Sequence, residues 1–170
     1  MPKITKLRQH LESLKVEFLV ESVQCLPQDA KVLIFAEYMD TVETLKHVFA
    51  SEGIRCVSLV GSDSTKKRMA AVDAFQNDPE VKVFIGTTMA AGVGITLTAA
   101  NYVFFASLPW TPALKRQAED RAYRSGQQRD VFVIIPLVAE TIDEQIFALL
   151  DSKREIEVAL VESNRKRVSA

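Results

Sequence analysis

Residues 117–127 read Q-A-E-D-R-A-Y-R-S-G-Q, and this stretch decides how the rest of the chain is interpreted. Thr111 and Pro112 lie just upstream and predict a helix start, because Thr is a favoured N-cap residue and Pro is favoured at the first helical position. Gly126 predicts the end of the same helix, since helices commonly stop at a glycine. We therefore predict one helix that carries the stretch as far as Gly126.

The predicted helix places Gln117, Arg121 and Arg124 on one face, because residues three and four apart are neighbours on a helix surface. Arg121 and Arg124 fall near its C-terminal end, where the helix dipole favours cations. Two guanidinium groups on one rigid face suit a phosphate whose negative charge grows in a transition state. The alternative is a solvated helix in which Asp120 pairs with Arg124. The spacing leaves both interpretations open.

The order of residues 117–127 resembles the sixth helicase motif of the Swi/Snf-type ATPases, Q-A-x-D-R-A-H-R-x-G-Q. Only Tyr123 departs from that form, where the family usually has His. These proteins belong to helicase superfamily two and are DNA-dependent ATPases that translocate on double-stranded DNA. They hydrolyse ATP between two RecA-like lobes, and the motif belongs to the second lobe. The resemblance implies that Arg121 and Arg124 are catalytic arginine fingers and that Gln117 contacts the nucleotide.

The composition is that of an ordinary globular protein. The chain of 170 residues has 48% hydrophobic and 25% charged residues, which predicts one domain over residues 1–170. The formal net charge of −1 gives no bulk attraction to nucleic acid, so any DNA contact must come from a local patch. Cys25 and Cys56 have no metal-site spacing and favour a reducing intracellular compartment, either a bacterial or archaeal cytoplasm or a eukaryotic nucleus. No apolar run is long enough to span a membrane, so we expect no membrane contact.

Short apolar runs alternate with helical patterns along the chain. The predicted strands cover residues 31–36, 55–60, 81–86, 102–106 and 131–135. Alternating strands and helices predict a parallel sheet with helices on both faces, which is an α/β fold. The resemblance implies the RecA-like three-layer version of it. In such sheets the ligand site lies at the loops that follow the carboxyl ends of the strands, and we expect every motif to lie in or beside one of these loops.

Two helices are predicted before the second strand. The first is an amphipathic helix over residues 5–23. Its predicted apolar face carries Leu7, Leu11, Leu14 and Phe18. Asp40 and Glu43 have the spacing of a capping pair and predict the start of the second.

Another capping pair, Thr141 and Glu144, opens a predicted C-terminal helix over residues 141–163. The basic run at residues 164–167 that follows is predicted to be a solvated tail. Contact of this tail with DNA or with a partner is the alternative.

Residues 87–94 read T-T-M-A-A-G-V-G and follow the third predicted strand. Hydroxyls and small residues allow a phosphate to approach closely, although the same glycines also suit a tight turn. The segment resembles the fifth motif of the same family, commonly S-T-x-A-G-G-x-G-x-N-L, and departs from the commonest form at Met89, Ala91 and Thr96. The resemblance implies that Thr88 touches a DNA backbone phosphate and that Gly92 and Gly94 lie near the nucleotide.

Two further loops carry candidate DNA contacts. Gly61 and Ser62 resemble the D-G-S turn of the family, whose backbone and hydroxyl hold the tracked strand, although Val60 replaces the Asp. Trp110 matches the Trp of the family's W-x-P segment at the DNA groove, where an aromatic face stacks on a base or sugar; a packed loop anchor is the alternative. Glu37 stands where the family's S-Q-F has Gln. Because an acid repels phosphate, we assign Glu37 no DNA role.

The sequence contains no G-x-x-x-x-G-K-[ST] phosphate loop and no D-E-x-H. The resemblance therefore implies half of an enzyme, whose partners are the N-terminal RecA-like lobe of the same polypeptide and double-stranded DNA. ATP with Mg²⁺ would be bound mainly by that first lobe, and we expect the isolated chain to be inactive. The alternative function is a non-catalytic RecA-like interaction module. A lobe of an RNA helicase is disfavoured, because those usually carry H-R-x-G-R.

Overall fold

The computed structural model describes residues 3–91 and 94–154. In chain order the elements are α1 (Lys3–Leu14), α2 (Val16–Cys25), β1 (Val32–Ala36), α3 (Met39–Ser51), β2 (Arg55–Leu59), α4 (Thr65–Asn77), β3 (Val81–Thr87), α5 (Thr88–Ala91), β4 (Tyr102–Phe105), α6 (Pro112–Glu119), β5 (Phe132–Ile134) and α7 (142–154). All of the predicted strands are present, each to within a single residue at either end.

The strands form one sheet in the order β2-β3-β1-β4-β5, and every neighbouring pair is parallel. β1 lies at the centre of the sheet and all of its residues are buried. Its continuous apolar run fits a parallel strand that is covered on both faces. The register pairs Ala36 with Thr87 and Phe35 with Phe105, so the carboxyl ends of β3, β1 and β4 lie side by side.

Helices cover both faces of the sheet. On one face, Leu19 of α2 and Phe49 of α3 belong to a core cluster with the inward residues of β1 and β3. On the other face, Phe75 of α4, Ala118 of α6 and Leu150 of α7 belong to a second cluster. The predicted three-layer α/β fold is therefore confirmed.

The N-terminal region differs from its prediction. Residues 5–23 lie in two helices rather than one, because the helix is interrupted at Lys15 between α1 and α2. Three residues of the predicted apolar face are exposed: Leu7, Leu14 and Phe18. Only Leu11 of that predicted face is buried.

The buried face of this region is charged instead. Arg8, Glu12 and Lys15 are 4%, 0% and 4% exposed. Their partners are backbone groups at the carboxyl edge of the sheet and one carboxylate, which offset the cost of burying charge. Apolar periodicity does not reveal such partners, because they come from distant parts of the sequence.

The start of α3 also differs from its prediction. α3 begins at Met39, before the predicted capping pair of Asp40 and Glu43, and its N-cap residue Tyr38 makes no side-chain capping bond. The Glu12 carboxylate accepts hydrogen bonds from the backbone N–H groups of residues 37 and 38, at 2.9 and 3.1 Å. A carboxylate from another helix therefore satisfies the donors at this point, where the sequence suggested a local cap.

Two other helix starts follow the capping predictions more closely. The Thr111 hydroxyl accepts a hydrogen bond of 3.3 Å from the N–H of Leu114, and Pro112 lies at the start of α6. Thr141 precedes α7, but its hydroxyl accepts from the N–H of Asp143 at 3.3 Å rather than from Glu144. The rest of the predicted C-terminal helix and the basic tail lie outside the described residues.

Candidate nucleotide and DNA site

The arginine stretch does not continue the helix as predicted. α6 ends at Glu119, and the residues from Asp120 to Gly126 form turns and bends. The backbone leaves the helix because the carbonyl of Arg121 accepts a hydrogen bond of 2.9 Å from the N–H of Leu97, in a distant segment. Gly126 has a φ of 104°, a left-handed backbone conformation that favours glycine, but it lies in the turn region and not at the helix end as predicted.

Arg121 is anchored to backbone carbonyls. Its Nε donates to the carbonyl of Gln117 at 3.0 Å, and its Nη1 donates to the carbonyl of Ile95 at 3.1 Å. The side chain is half-buried. Arg121 therefore joins the end of α6 to the segment that follows Gly94.

Arg124 contacts the same segment from the surface. Its Nη1 donates to the Thr96 hydroxyl at 3.1 Å, and the residue is exposed. The alternative ion pair with Asp120 is not among the ion pairs between residues in the described ranges 3–91 and 94–154. The two arginines thus do not share a helix face, yet both meet residues 95–96.

Two of the three other residues that were predicted to contact the nucleotide lie within the described residues. Gln117 is exposed on α6. Gly94 is exposed and has a φ of 61°, a backbone conformation that glycine adopts without strain. The turn by itself therefore accounts for a glycine at this position. Gly92 lies outside the described residues. Arg124 also lines an open depression of about 630 Å³, together with Tyr123 and Arg129.

The sixth motif lies away from the loops where we expected it. Gln127 donates through Nε2 to the carbonyls of Thr98 and Ala100, at 3.0 and 2.8 Å, and these residues precede β4. The arginine stretch is therefore held near the amino end of β4, at the far end of α6. The expectation that every motif follows the carboxyl end of a strand is wrong for this one.

The predicted DNA contacts do lie at the carboxyl edge of the sheet. Gly61 and Ser62 follow β2, Thr88 follows β3 and Trp110 follows β4. All three strands run parallel in one sheet, with β1 between β3 and β4, so their carboxyl ends lie at the same edge.

The turn at Gly61 and Ser62 is exposed and is fixed by the next residue. Asp63 Oδ2 accepts from the N–H of Val60 at 2.8 Å, and Asp63 Oδ1 pairs with Lys67 Nζ at 2.5 Å. The hydrogen bond from Lys67 lowers the pKa of Asp63. The Lys67 ammonium is thus paired with Asp63.

Thr88 is buried rather than presented at the surface. It is 3% exposed, and its hydroxyl makes no hydrogen bond within the described residues. Glu37 follows β1, next to β3, and its Oε1 likewise has no partner there. The hydroxyl lies near enough to oppose part of the rise that burial causes in the pKa of Glu37, although the two groups lack hydrogen-bond geometry.

Trp110 is neither a core anchor nor a free surface ring. It is 45% exposed, and the guanidinium carbon of Arg8 lies 4.2 Å from the centroid of its ring. Arg8 also donates through Nη2 to the carbonyl of Leu108. One side of the ring is therefore covered by a buried arginine.

Arg8, Thr96 and Glu37 lie beside the candidate site residues, although no sequence motif marks them as parts of the site. A signal existed for Arg8, because it shares a helix face with Glu12 and Lys15 by spacing. Charged residues at such spacing usually lie on a solvated face, so the pattern indicated exposure of Arg8 rather than burial.

The structure contains no helix that is long and apolar enough to cross a membrane within residues 3–91 and 94–154.

The fold and the motif geometry define a RecA-like helicase lobe, and comparison with known proteins identifies the family. Residues 14–126 match the helicase conserved C-terminal domain. An uncharacterized ATP-dependent helicase of Schizosaccharomyces pombe is 36% identical over 166 residues, covering 97% of this chain and 15% of that protein. The human DNA annealing helicase and endonuclease ZRANB3 is 32% identical over 140 residues, covering 82% of this chain and 13% of that protein.

A solved structure supports the same assignment. The crystal structure of the C-terminal part of the Fun30 ATPase domain matches with a TM-score of 0.75 and 31% identity, over 80% of this chain and 45% of that chain. The chain belongs to the helicase conserved C-terminal domain family, and the resemblance to the Swi/Snf-type ATPases is confirmed. It spans only a small part of the length of the curated relatives described above.

Proposed function

We propose that this chain is the second lobe of an ATP-dependent double-stranded DNA translocase. In this proposal Arg121 and Arg124 supply positive charge to the phosphoryl group during hydrolysis, and the carboxyl edge of the sheet contacts the DNA backbone. The observation that carries the proposal is the convergence of both arginines on residues 95–96, directly after Gly94. This contact joins the fifth and sixth motifs.

The two arginines have different surroundings, and we infer different tasks for them. Arg124 is exposed, and its Nη1 donates to a neutral hydroxyl. A phosphate oxygen that accepts from the other N–H groups of this guanidinium would form a shorter, charge-assisted hydrogen bond. Arg121 is half-buried and donates to two carbonyls, so it also fixes the backbone on which Arg124 stands.

The donor groups of this surface fit ATP. A guanidinium group provides several N–H donors in one plane and stays charged at any physiological pH, which suits a triphosphate. We propose that Gln117 and Gly94 also lie against the nucleotide, with Gly92 assigned by resemblance. ATP and Mg²⁺ would be held mainly by the N-terminal RecA-like lobe of the same polypeptide, and the metal would supply positive charge to the phosphates there.

For DNA, we propose that Gly61, Ser62 and Trp110 make the main contacts. Ser62 offers an exposed hydroxyl and Gly61 an exposed backbone, which bind phosphate without reading sequence. A contact by Thr88 requires its hydroxyl to become exposed, so we rank it below these. The near-zero net charge predicts that this lobe binds DNA weakly without the rest of the polypeptide. The function requires a cellular location with access to DNA.

The experiment is a comparison of two purified proteins, the longer polypeptide that carries this lobe and the 170-residue chain. ATP hydrolysis is measured with and without duplex DNA, and movement along DNA is measured by displacement of a third strand. We expect stimulated hydrolysis and movement only for the longer polypeptide. A longer polypeptide that neither hydrolyses ATP nor moves would support the non-catalytic interaction module.

A further inference from the structure

The buried face of α1 and the residue after it consists of charged side chains. Arg8, Glu12 and Lys15 are four and three residues apart, so they line one side of the helix. All three are at least nine-tenths buried. Charged side chains are almost never buried to this degree without specific partners.

Two of these charges each hold a different loop at the carboxyl edge of the sheet. Glu12 accepts from the N–H groups of Glu37 and Tyr38, in the loop after β1. Lys15 donates to the carbonyl of Ala106 at 2.9 Å, in the loop after β4, and pairs with the carboxylate of Asp143 at 2.6 Å.

The third charged residue, Arg8, contacts both ends of the segment 108–110. Its Nη2 donates to the carbonyl of Leu108, and its guanidinium plane covers the ring of Trp110 at 4.2 Å. Trp110 as a whole is 45% exposed. A single planar group therefore sets both the path of residues 108–110 and the side of the ring that faces solvent.

Stability by itself does not explain a charge at this place. Apolar side chains of similar volume often replace buried ions without loss of stability. What an apolar side chain lacks is direction, since a guanidinium group has fixed donors and stacks flat against an aromatic face. The contacts of Arg8 use both properties.

We propose that Arg8 is a positioning residue that orients Trp110 for contact with DNA. This inference rests on the proposed function, in which Trp110 grips the DNA while ATP is hydrolysed. Arg8 does not touch DNA or nucleotide in this proposal. It acts through the ring, by keeping one side covered and presenting the other.

The experiment uses the longer polypeptide and measures base pairs moved per ATP hydrolysed. The variants are Arg8→Lys, Trp110→Ala and the double variant, with Lys15→Met as the control. Arg8→Lys keeps a buried cation near the carbonyl of Leu108 but loses the planar contact with the ring. We expect it to lower the base pairs moved per ATP by about three- to tenfold, the range for loss of one partly buried cation–π contact. In the Trp110→Ala background we expect no further loss.

The control separates position from stability. Lys15→Met breaks another buried contact of the same charged face, so we expect a lower melting temperature than for Arg8→Lys with unchanged movement per ATP. Normal movement in Arg8→Lys, a further loss in the double variant, or an equal loss in Lys15→Met would each overturn the inference. Normal movement in Trp110→Ala overturns it too, while leaving the translocase function intact. Absence of DNA-stimulated hydrolysis in the unmodified polypeptide is a different result, because it removes the proposed function itself.

Discussion

The guanidinium group of Arg124 donates a hydrogen bond of 3.1 Å to the hydroxyl of Thr96, which lies 28 residues earlier in the chain. Arg121 donates to the carbonyl of the adjacent Ile95 at 3.1 Å. Residues 95–96 therefore hold both arginines, and they follow the glycine turn at Gly94. The relative position of the two guanidinium groups is set by this segment, since α6 ends before either arginine.

Arg124→Ala in the longer polypeptide tests whether Arg124 is an arginine finger for ATP hydrolysis. We expect kcat for ATP hydrolysis to fall by roughly 10³–10⁵, as for arginine fingers in related phosphoryl-transfer sites, while DNA affinity stays nearly constant. Arg124→Lys should also fail, because a point charge does not reproduce the planar fork. Steady-state hydrolysis and DNA binding are measured on the same preparations. Turnover of Arg124→Ala within a few-fold of the unmodified protein would show that the residue is structural.

Thr96→Val tests whether the hydroxyl orients Arg124. Valine has the shape of threonine without the donor and acceptor, so the hydrogen bond is lost and the packing is kept. We expect kcat to fall by about tenfold or less, since a hydrogen bond to a charged group is worth about 1.5–3 kcal/mol and this one is exposed to solvent. Thr96→Ser keeps the hydroxyl and should stay close to the unmodified rate. Equal rates for the valine and serine variants contradict an orienting role.

The buried pair of Lys15 and Asp143 predicts a large effect on stability. Their side chains are 5% and 10% exposed, and Nζ lies 2.6 Å from Oδ2. Lys15→Met leaves the carboxylate buried without its cation, so we expect the free energy of unfolding to fall by about 3 kcal/mol. The matched control is the more exposed pair of Lys46 and Glu43, where Lys46→Met should cost well under 1 kcal/mol. Denaturant unfolding measures both, and equal losses would contradict the importance of burial.

The strands were predictable and the charged face of α1 was not, for a physical reason. A parallel strand such as β1 is buried on both sides, so its sequence is an uninterrupted apolar run that is visible locally. Arg8, Glu12 and Lys15 are buried only because backbone groups at the ends of β1 and β4 receive them. Those partners are fixed by the sheet order, which no local pattern contains.

The same limit applies to the candidate site. Residues 117–124 contain good helix formers, so the sequence predicts a helix that continues. The hydrogen bond from Leu97 to the carbonyl of Arg121 overrides that preference. The motif order singled out both arginines, but their contacts with residues 95–96 depend on how the chain connects β3 to β4, which no local pattern contains.

Glu37→Gln tests the acid beside Thr88. Burial raises the pKa of Glu37 above its ordinary value of 4.5, and the Thr88 hydroxyl and Arg8 oppose this only in part. The folded protein therefore holds the proton more tightly than the unfolded chain does. The stability contributed by this group is fully present below pH 4.5 and is lost as the pH rises through the folded-state pKa. Glutamine mimics the protonated form, so we expect the variant to be more stable at neutral pH and unchanged in acid.

Asp63 is the control for Glu37, because its pKa is shifted in the opposite direction. The hydrogen bond from Lys67 lowers the pKa of Asp63 below its ordinary value of 3.8. Its stabilisation is present above that pH and is lost as the pH falls through the folded-state pKa. Asp63→Asn should therefore lower stability at neutral pH, where Glu37→Gln raises it. Unfolding curves across the pH range measure both, and a gain for Glu37→Gln that persists in acid would refute the titration argument.

Ser62→Ala and Thr88→Val distinguish an exposed phosphate contact from a buried one. Ser62 is exposed, so its loss should weaken DNA stimulation of ATP hydrolysis without changing stability or sequence preference. The salt dependence of DNA binding should be the same in Ser62→Ala as in the unmodified protein, near −0.9 in log–log slope per neutralised phosphate, because a neutral hydroxyl releases no counterion.

Thr88→Val removes a buried hydroxyl that has no partner within the described residues, so we expect the free energy of unfolding to stay constant or rise. If the lobe binds DNA as it stands in this structure, Thr88→Val leaves DNA stimulation unchanged. A loss of DNA stimulation in Thr88→Val, at full stability, would show that the hydroxyl becomes exposed when DNA binds.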